Sequence, residues 1–231
     1  MKFQDKVAIV TGGTGALGSA IVQLFLDEGA AVAIPVHRRH TYDSPRLQRL
    51  LPVPADLISR EDVDAFVEKV LGEWRDIDIL IHTVGGYAGG KTVEEVTEEE
   101  WDRLMDINLK SAFLICRAVL PSMRRRNSGR IITIGAMAAL RPTAKRGPYQ
   151  ISKRALIALT DTIAEEVKGS GITANAIIPS TVLTPENIES MPDADHSKWV
   201  PPGEIAKLAA YLCLPEARSV NGNAIKIYGG V

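Results

Sequence analysis

The sequence has only two cysteines among its 231 residues. Cys116 and Cys213 each fall in an apolar helical pattern, and neither stands at metal-binding or redox spacing from another ligand. A disulfide framework and a cysteine-held metal are thereby excluded, and no metal is expected. Reduced core thiols point to a reducing compartment. Charge of either sign is not in excess, since 27 basic and 28 acidic residues leave a formal net charge of −1. Nothing electrostatic therefore calls for nucleic acid or an anionic membrane as partner. The one dense basic run, Arg124-Arg125-Arg126, ends a helical pattern, where cations complement the helix dipole. No apolar run approaches the roughly 20 residues of a membrane span. A strand pattern, Val7-Ala8-Ile9-Val10, begins almost at once, so no cleaved leader is expected and the expected location is the cytoplasm.

Internal repeats, low-complexity tracts and linkers are also missing, so residues 1–231 read as a single domain. What the chain does have is alternation. Apolar β-branched runs near 7–11, 31–36, 51–54, 78–84, 130–135, 173–178 and 224–228 are separated by helical periodicities near 16–28, 60–74, 97–126, 148–168 and 203–213. Strands apolar throughout, with amphipathic helices between them, predict a parallel sheet covered on both faces. The fold class is α/β, a doubly wound (Rossmann) sheet of about seven strands. One irregular stretch, about 180–202, follows a strand end where ligands sit in this architecture. With its flanking residues it holds five of the thirteen prolines, and it is expected to be a substrate lid.

The first strand runs into Thr11-Gly12-Gly13-Thr14-Gly15-Ala16-Leu17-Gly18 and then an apolar helix. Glycines there let the backbone approach a pyrophosphate, and the helix start offers free N–H groups. Further along, Tyr149-Gln150-Ile151-Ser152-Lys153 sets a phenol and an ammonium one helical turn apart on one face. A phenol titrates near 10 and exchanges protons poorly at neutral pH unless a cation stabilises its anion. Lys153 is expected to do so.

These two motifs, at this separation, resemble those of the short-chain dehydrogenase/reductase family, and the resemblance covers essentially the whole chain. The glycine turn departs from the family pattern only in Ala16. The resemblance implies a nicotinamide cofactor bound by Gly12, Thr14, Gly15, Ala16, Leu17 and Gly18. It assigns Asp56 and Leu57 to adenine, and Gly85, Pro179 and Thr184 to the nicotinamide side of the site. It makes Tyr149 the proton donor, has Lys153 hold ribose, and lets Asn108 order a water in the proton path. The fourth strand ends His82-Thr83-Val84-Gly85 where the family has N-N-A-G, and His82 reads as a residue filling an asparagine's place. Family members assemble through the helices near 97–126 and 148–168, so a homodimer or homotetramer is expected. Leu104, Ile107, Phe113, Leu114 and Val119 give the first of these more apolar surface than one stripe.

Two further absences carry information. The second strand ends Pro35-Val36-His37-Arg38-Arg39 without the carboxylate that bonds a ribose 2′-hydroxyl, and guanidinium suits a 2′-phosphate. NADPH is therefore favoured over NADH. The family's active-site serine, thirteen positions before the tyrosine, is replaced by Ala136. Loss of one such donor typically costs about 3–4 kcal/mol in a reaction that develops an alkoxide. Thr133 does not offer a substitute, because alternation along the strand turns it away. The dihydropteridine reductases of this family share the alanine. They also resemble this chain at Gly85–Gly90, Gly135–Leu140 and the Ser190–Asp195 lid segment with Trp199. That implies hydride transfer to a quinonoid dihydropterin or a similar electron-poor ring, with Tyr87, Met191 and Trp199 as flat walls beside Ala136. A small-molecule carbonyl compound, with Ala136 offset by another donor, is the alternative. A dinucleotide-binding regulator without catalysis is the third reading, and retention of both Tyr149 and Lys153 argues against it.

Overall fold

The computed structural model describes residues 1–37 and 49–230. Seven parallel strands form one sheet: β1 (Val7–Thr11), β2 (Ala31–Val36), β3 (Leu50–Pro54), β4 (Ile79–His82), β5 (Gly129–Ile134), β6 (Ile172–Pro179) and β7 (Ala224–Ile227). Their order is β3-β2-β1-β4-β5-β6-β7. The chain winds outward from β1 in one direction and, from β4 on, in the other. The crevice outside the carboxyl ends of β1 and β4 is thus the topological switch point.

Side-chain alternation splits the core into two layers. Ala8 and Val10 of β1, with Ile132 and Ile177, face α1 (Ala16–Asp27) and α7 (Pro202–Cys213), which contribute Ile21, Phe25, Ile205 and Ala209. Val7 and Ile9 face the other way with Leu80 and Ile131. There they meet α2 (Arg60–Trp74), α4 (Ser111–Arg126) and α5 (Gly147–Glu166) through Phe66, Val70, Ile115, Val119 and Ile163. Both cysteines are buried and free, and burial pushes each thiol up to about 12. The core role expected for them holds.

Proline is tolerated in β2 and β3 because of where it falls. β3 is an edge strand, and Pro35 of β2 lies past Ala33, the last residue that pairs with β1. Its missing N–H costs no ladder bond on that side. Beyond Thr11 the chain leaves the sheet at Gly12, which opens the crevice.

The helix expected over 97–126 is interrupted. α3 (Glu98–Met105) begins with a capping box at Thr97 and Glu100, passes into a π turn at Asp106–Lys110, and resumes as α4. Such single wide turns are concentrated at functional sites, and this one carries Asn108 into the interior, fully buried. The 180–202 stretch is also more ordered than an irregular loop. It holds α6 (Pro185–Ser190), and its two ends pair through a parallel bridge between Val182 and Val200. Leu183 N donates to Val200 O and Val200 N to Thr181 O, both at 2.9 Å.

Candidate active site

The switch-point crevice is a cleft of about 850 Å³. One wall is the glycine turn, where Gly12, Thr14, Gly15, Ala16, Leu17 and Gly18 all line the space. Gly12 holds φ +68, and a Cβ at Gly18 would stand 2.0 Å from Gly12 O. The turn and the helix start are therefore pressed together and tolerate no side chain at residue 18. Ala16 is the first residue of α1, where its methyl group is accommodated. No side chain caps that end of α1, and its first turn holds no carboxylate. The free N–H groups and the positive end of the dipole point at the cleft, as a pyrophosphate requires.

The far wall is formed by Asp56, Leu57 and Ile58 after β3, with Pro35 and His37 at the end of β2. Asp56 is held in place from both sides. Its N–H donates to Asp62 Oδ2 at 2.9 Å, and its Oδ1 accepts from Ile58 N at 3.1 Å. Arg38 and Arg39 lie outside the described residues. Val84, Gly85 and Thr184 also line the cleft, whereas Pro179 does not: it is buried at the end of β6, paired with Ile227. Ala55 and Thr83 line it too, as do Arg103, Asp106, Ile107, Ser111 and Glu186. Sequence pattern does not mark these, since the π turn that rotates the α3–α4 face leaves no trace in hydrophobicity, and Glu186 reaches the cleft from α6.

Gly85 joins the cleft to the catalytic pair. A Cβ at that position would lie 2.8 Å from both Lys153 Nζ and Asn108 Oδ1, so these polar atoms converge on the inner end of the cleft. Lys153 is buried and donates to Ile134 O at 2.9 Å, which ties α5 to the end of β5. Burial lowers its pKa to about 8. Asn108 accepts from Gly86 N at 2.8 Å and donates through Nδ2 to Gly86 O and Ser152 Oγ, each at 3.0 Å. Both Nδ2 hydrogens are thus committed. Of the side chain, only a remaining Oδ1 lone pair is left to accept from a water, so Asn108 is first a strut between loop and helix. Ser152, which the sequence reading passed over, completes the strut by donating to Tyr149 O at 2.8 Å.

Tyr149 differs from expectation in its electrostatics. Burial pushes its pKa up to about 12, neighbouring Tyr87 adds to the rise, and the cation that opposes them is Arg146. Lys153, expected to lower the phenol's pKa, directs its ammonium to Ile134 O instead. The Tyr87 ring meets Tyr149 edge-on at 5.0 Å, and Arg146 lies over Tyr87 at 5.9 Å. Ala136 is 8% exposed and presents only a methyl group. Thr133 is turned away as expected, its hydroxyl sharing a 2.8 Å hydrogen bond with Thr160.

His82 is structural, as its place in the strand suggested. It is fully buried, with Nδ1 3.0 Å from Thr11 Oγ1 and Nε2 3.4 Å from Ser111 Oγ. Ser111 donates its own hydrogen to Ile107 O, so the satisfied arrangement has Nε2–H donating to Ser111 and Thr11 donating to Nδ1. Burial, with a smaller contribution from Lys153, depresses its pKa to about 3. A neutral imidazole with both nitrogens occupied is not a base for catalysis.

The walls expected of Met191 and Trp199 are not found. Neither lines the cleft, and nor does Tyr87, which stands against Tyr149 instead. Trp199 is 7% exposed and packs beneath His196 at 4.4 Å, and His196 Nε2 lies 2.8 Å from Met191 O. The lid consumes the Trp199 side chain in its own packing, whereas that of Met191 is 39% exposed and only its carbonyl is held.

The short chain dehydrogenase family matches residues 6–195. The chain belongs to that family. Uncharacterized oxidoreductase YvrD of Bacillus subtilis is 30% identical over 100% of this chain and 98% of its own length. The 3-oxoacyl-[acyl-carrier-protein] reductase FabG of Thermotoga maritima is 27% identical, covering 100% and 99%. Among solved structures, the 3-ketoacyl-(acyl-carrier-protein) reductase of Brucella melitensis, complexed with NADH, superposes with a TM-score of 0.87 at 27% identity over 99% of this chain and 98% of that one. The chain is an oxidoreductase of this family with a nicotinamide dinucleotide cofactor, and the cleft's uncapped helix start and close-packed glycine turn fit such a ligand.

Proposed function

We propose that the protein is an NADPH-dependent carbonyl reductase, converting a ketone to a secondary alcohol. The observation that carries this reading is the convergence of Lys153 Nζ and Asn108 Oδ1 on Gly85, with Tyr149 one turn before Lys153 on α5. The cofactor, when bound, supplies the hydride. Gly12, Gly18 and the start of α1 would hold its pyrophosphate, and Asp56 and Leu57 its adenine. Lys153 has two ammonium hydrogens beyond the one given to Ile134 O, and these would serve a ribose hydroxyl. Tyr149 donates a proton to the carbonyl oxygen as the hydride arrives at carbon. A phenol near 12 is fully protonated at neutral pH, the form that direction needs.

Preference for NADPH rests on the sequence His37-Arg38-Arg39, which offers cations and no carboxylate where β2 ends. The relatives named above that carry an activity name are 3-oxoacyl or 3-ketoacyl reductases, and this favours a carbonyl substrate.

Ala136 supports a second reading, transfer of hydride to a quinonoid dihydropterin, because such a ring develops no alkoxide and needs no serine. Steady-state oxidation of NADPH and NADH with a ketone panel and with freshly generated quinonoid dimethyl-dihydropterin separates the two. Turnover of ketones supports the first reading, and turnover of the pterin alone supports the second.

A homo-oligomer in the cytoplasm is part of the proposal. Leu104, Leu114 and Val119 face the chain's own core, but Phe113 of α4 and Ile151 of α5 stay 48% and 44% exposed on the two helices expected to pair. Among the described residues no helix is long and apolar enough to cross a membrane, and no cluster of metal-ligating side chains occurs.

A further inference from the structure

Between Asp106 and Asp161 the sequence carries eleven lysines and arginines and no carboxylate. Several of these cations reach acids elsewhere: Lys110 pairs with Asp106, Arg117 with Asp64, Arg124 with Glu166, and Arg126 with Asp76 and Asp78. The three on the loop that leads into α5 do not. Arg141, Lys145 and Arg146 are exposed, and none has a carboxylate partner among the described residues. Arg141 lies over the Tyr228 ring at 5.4 Å and Arg146 over Tyr87.

This positive loop is fixed at the entrance to the reacting phenol. Lys145 holds φ +62, and its carbonyl accepts from Gly90 N at 2.7 Å, clamping the loop to the segment that carries Tyr87. The Tyr87 ring has the Arg146 guanidinium 5.9 Å from its centroid and the Tyr149 ring 5.0 Å away.

We propose that Arg146, with Lys145 beside it, binds a carboxylate of the substrate, so that the physiological substrate is an oxo acid rather than a neutral ketone. The inference rests on the carbonyl-reductase reading. A guanidinium with no carboxylate partner among the described residues offers two parallel donors to a planar carboxylate. Tyr87 beneath it supplies an apolar face for the chain between carboxylate and carbonyl. A second anchor also suits a site without the serine. With Ala136 unable to orient the carbonyl, a fixed point at the other end of the molecule restores alignment with Tyr149.

The test uses 3-oxohexanoate and its methyl ester, which differ in the charge. Both are assayed for turnover with NADPH and titrated calorimetrically against the NADP⁺-loaded protein, in the wild type, Arg146→Gln and Arg146→Lys. The wild type is expected to bind and reduce the acid at least tenfold better than the ester, with the ratio falling as salt rises. Arg146→Gln brings the acid-to-ester ratio close to one, and Arg146→Lys keeps part of it. Equal or absent binding of the two by the wild type, or an unchanged ratio in Arg146→Gln, overturns the proposal. Selective binding of the acid without turnover of either compound instead removes the carbonyl reading and leaves the carboxylate site standing.

Discussion

Asn108 grips the backbone of Gly86 at both ends, accepting from its N–H at 2.8 Å and donating to its carbonyl at 3.0 Å. The π turn at 106–110 delivers the amide to that position, and Ser152 passes the contact on to α5. Loop, interrupted helix and catalytic helix are thereby held in one register around Gly85.

Asn108→Ala leaves Gly86 without either partner and opens a void at a fully buried position. A loss of about 2–4 kcal/mol in unfolding free energy is expected, from the lost hydrogen bonds and the unsatisfied groups left behind. Urea denaturation measures it. A change below about 0.5 kcal/mol would show that the strut is dispensable.

His82 has a folded pKa near 3 against an ordinary value of 6.5. Between these values the unfolded chain takes up a proton that the folded chain refuses, so stability falls as pH drops below about 6.5. At pH 5 the deficit is about 2 kcal/mol. His82→Asn removes the titration. Relative to the wild type, the variant should gain about 2 kcal/mol between pH 7.5 and pH 5, read from denaturation midpoints at the two pH values. A parallel pH dependence in both proteins would contradict the neutral, buried imidazole.

Ala136→Ser restores a hydroxyl where the family keeps its serine. If a carbonyl oxygen sits beside Tyr149, the added donor should raise ketone turnover at least tenfold, a fraction of the 10²–10³ that such donors typically contribute. Ketone turnover that does not rise would count against the carbonyl reading and for an acceptor that develops no alkoxide.

Much of this was legible in the residue pattern. The all-apolar strands required a sheet buried on both faces, and the glycine turn between β1 and α1 located the cleft. Spacing alone placed Tyr149 and Lys153 on one helical face. What the pattern does not encode is contact across the sheet. The break in the 97–126 helix depends on Asn108 meeting Gly86, 22 residues away, and on Ser111 meeting His82. Aromatic residues in the lid look alike in sequence whether they wall a cleft or pack on one another, and Trp199 does the latter. The sign of Tyr149's shift was likewise hidden, because it depends on burial and on where the Lys153 ammonium points.

The most direct test of the central claim is NADPH oxidation by a reducible ketone, followed beside Tyr149→Phe with NADPH binding measured separately on both proteins. The variant is expected to bind the cofactor with nearly unchanged affinity and to lose at least a hundredfold in turnover. Full activity in Tyr149→Phe would show that the proton comes from elsewhere, and the catalytic assignment built around α5 would fall.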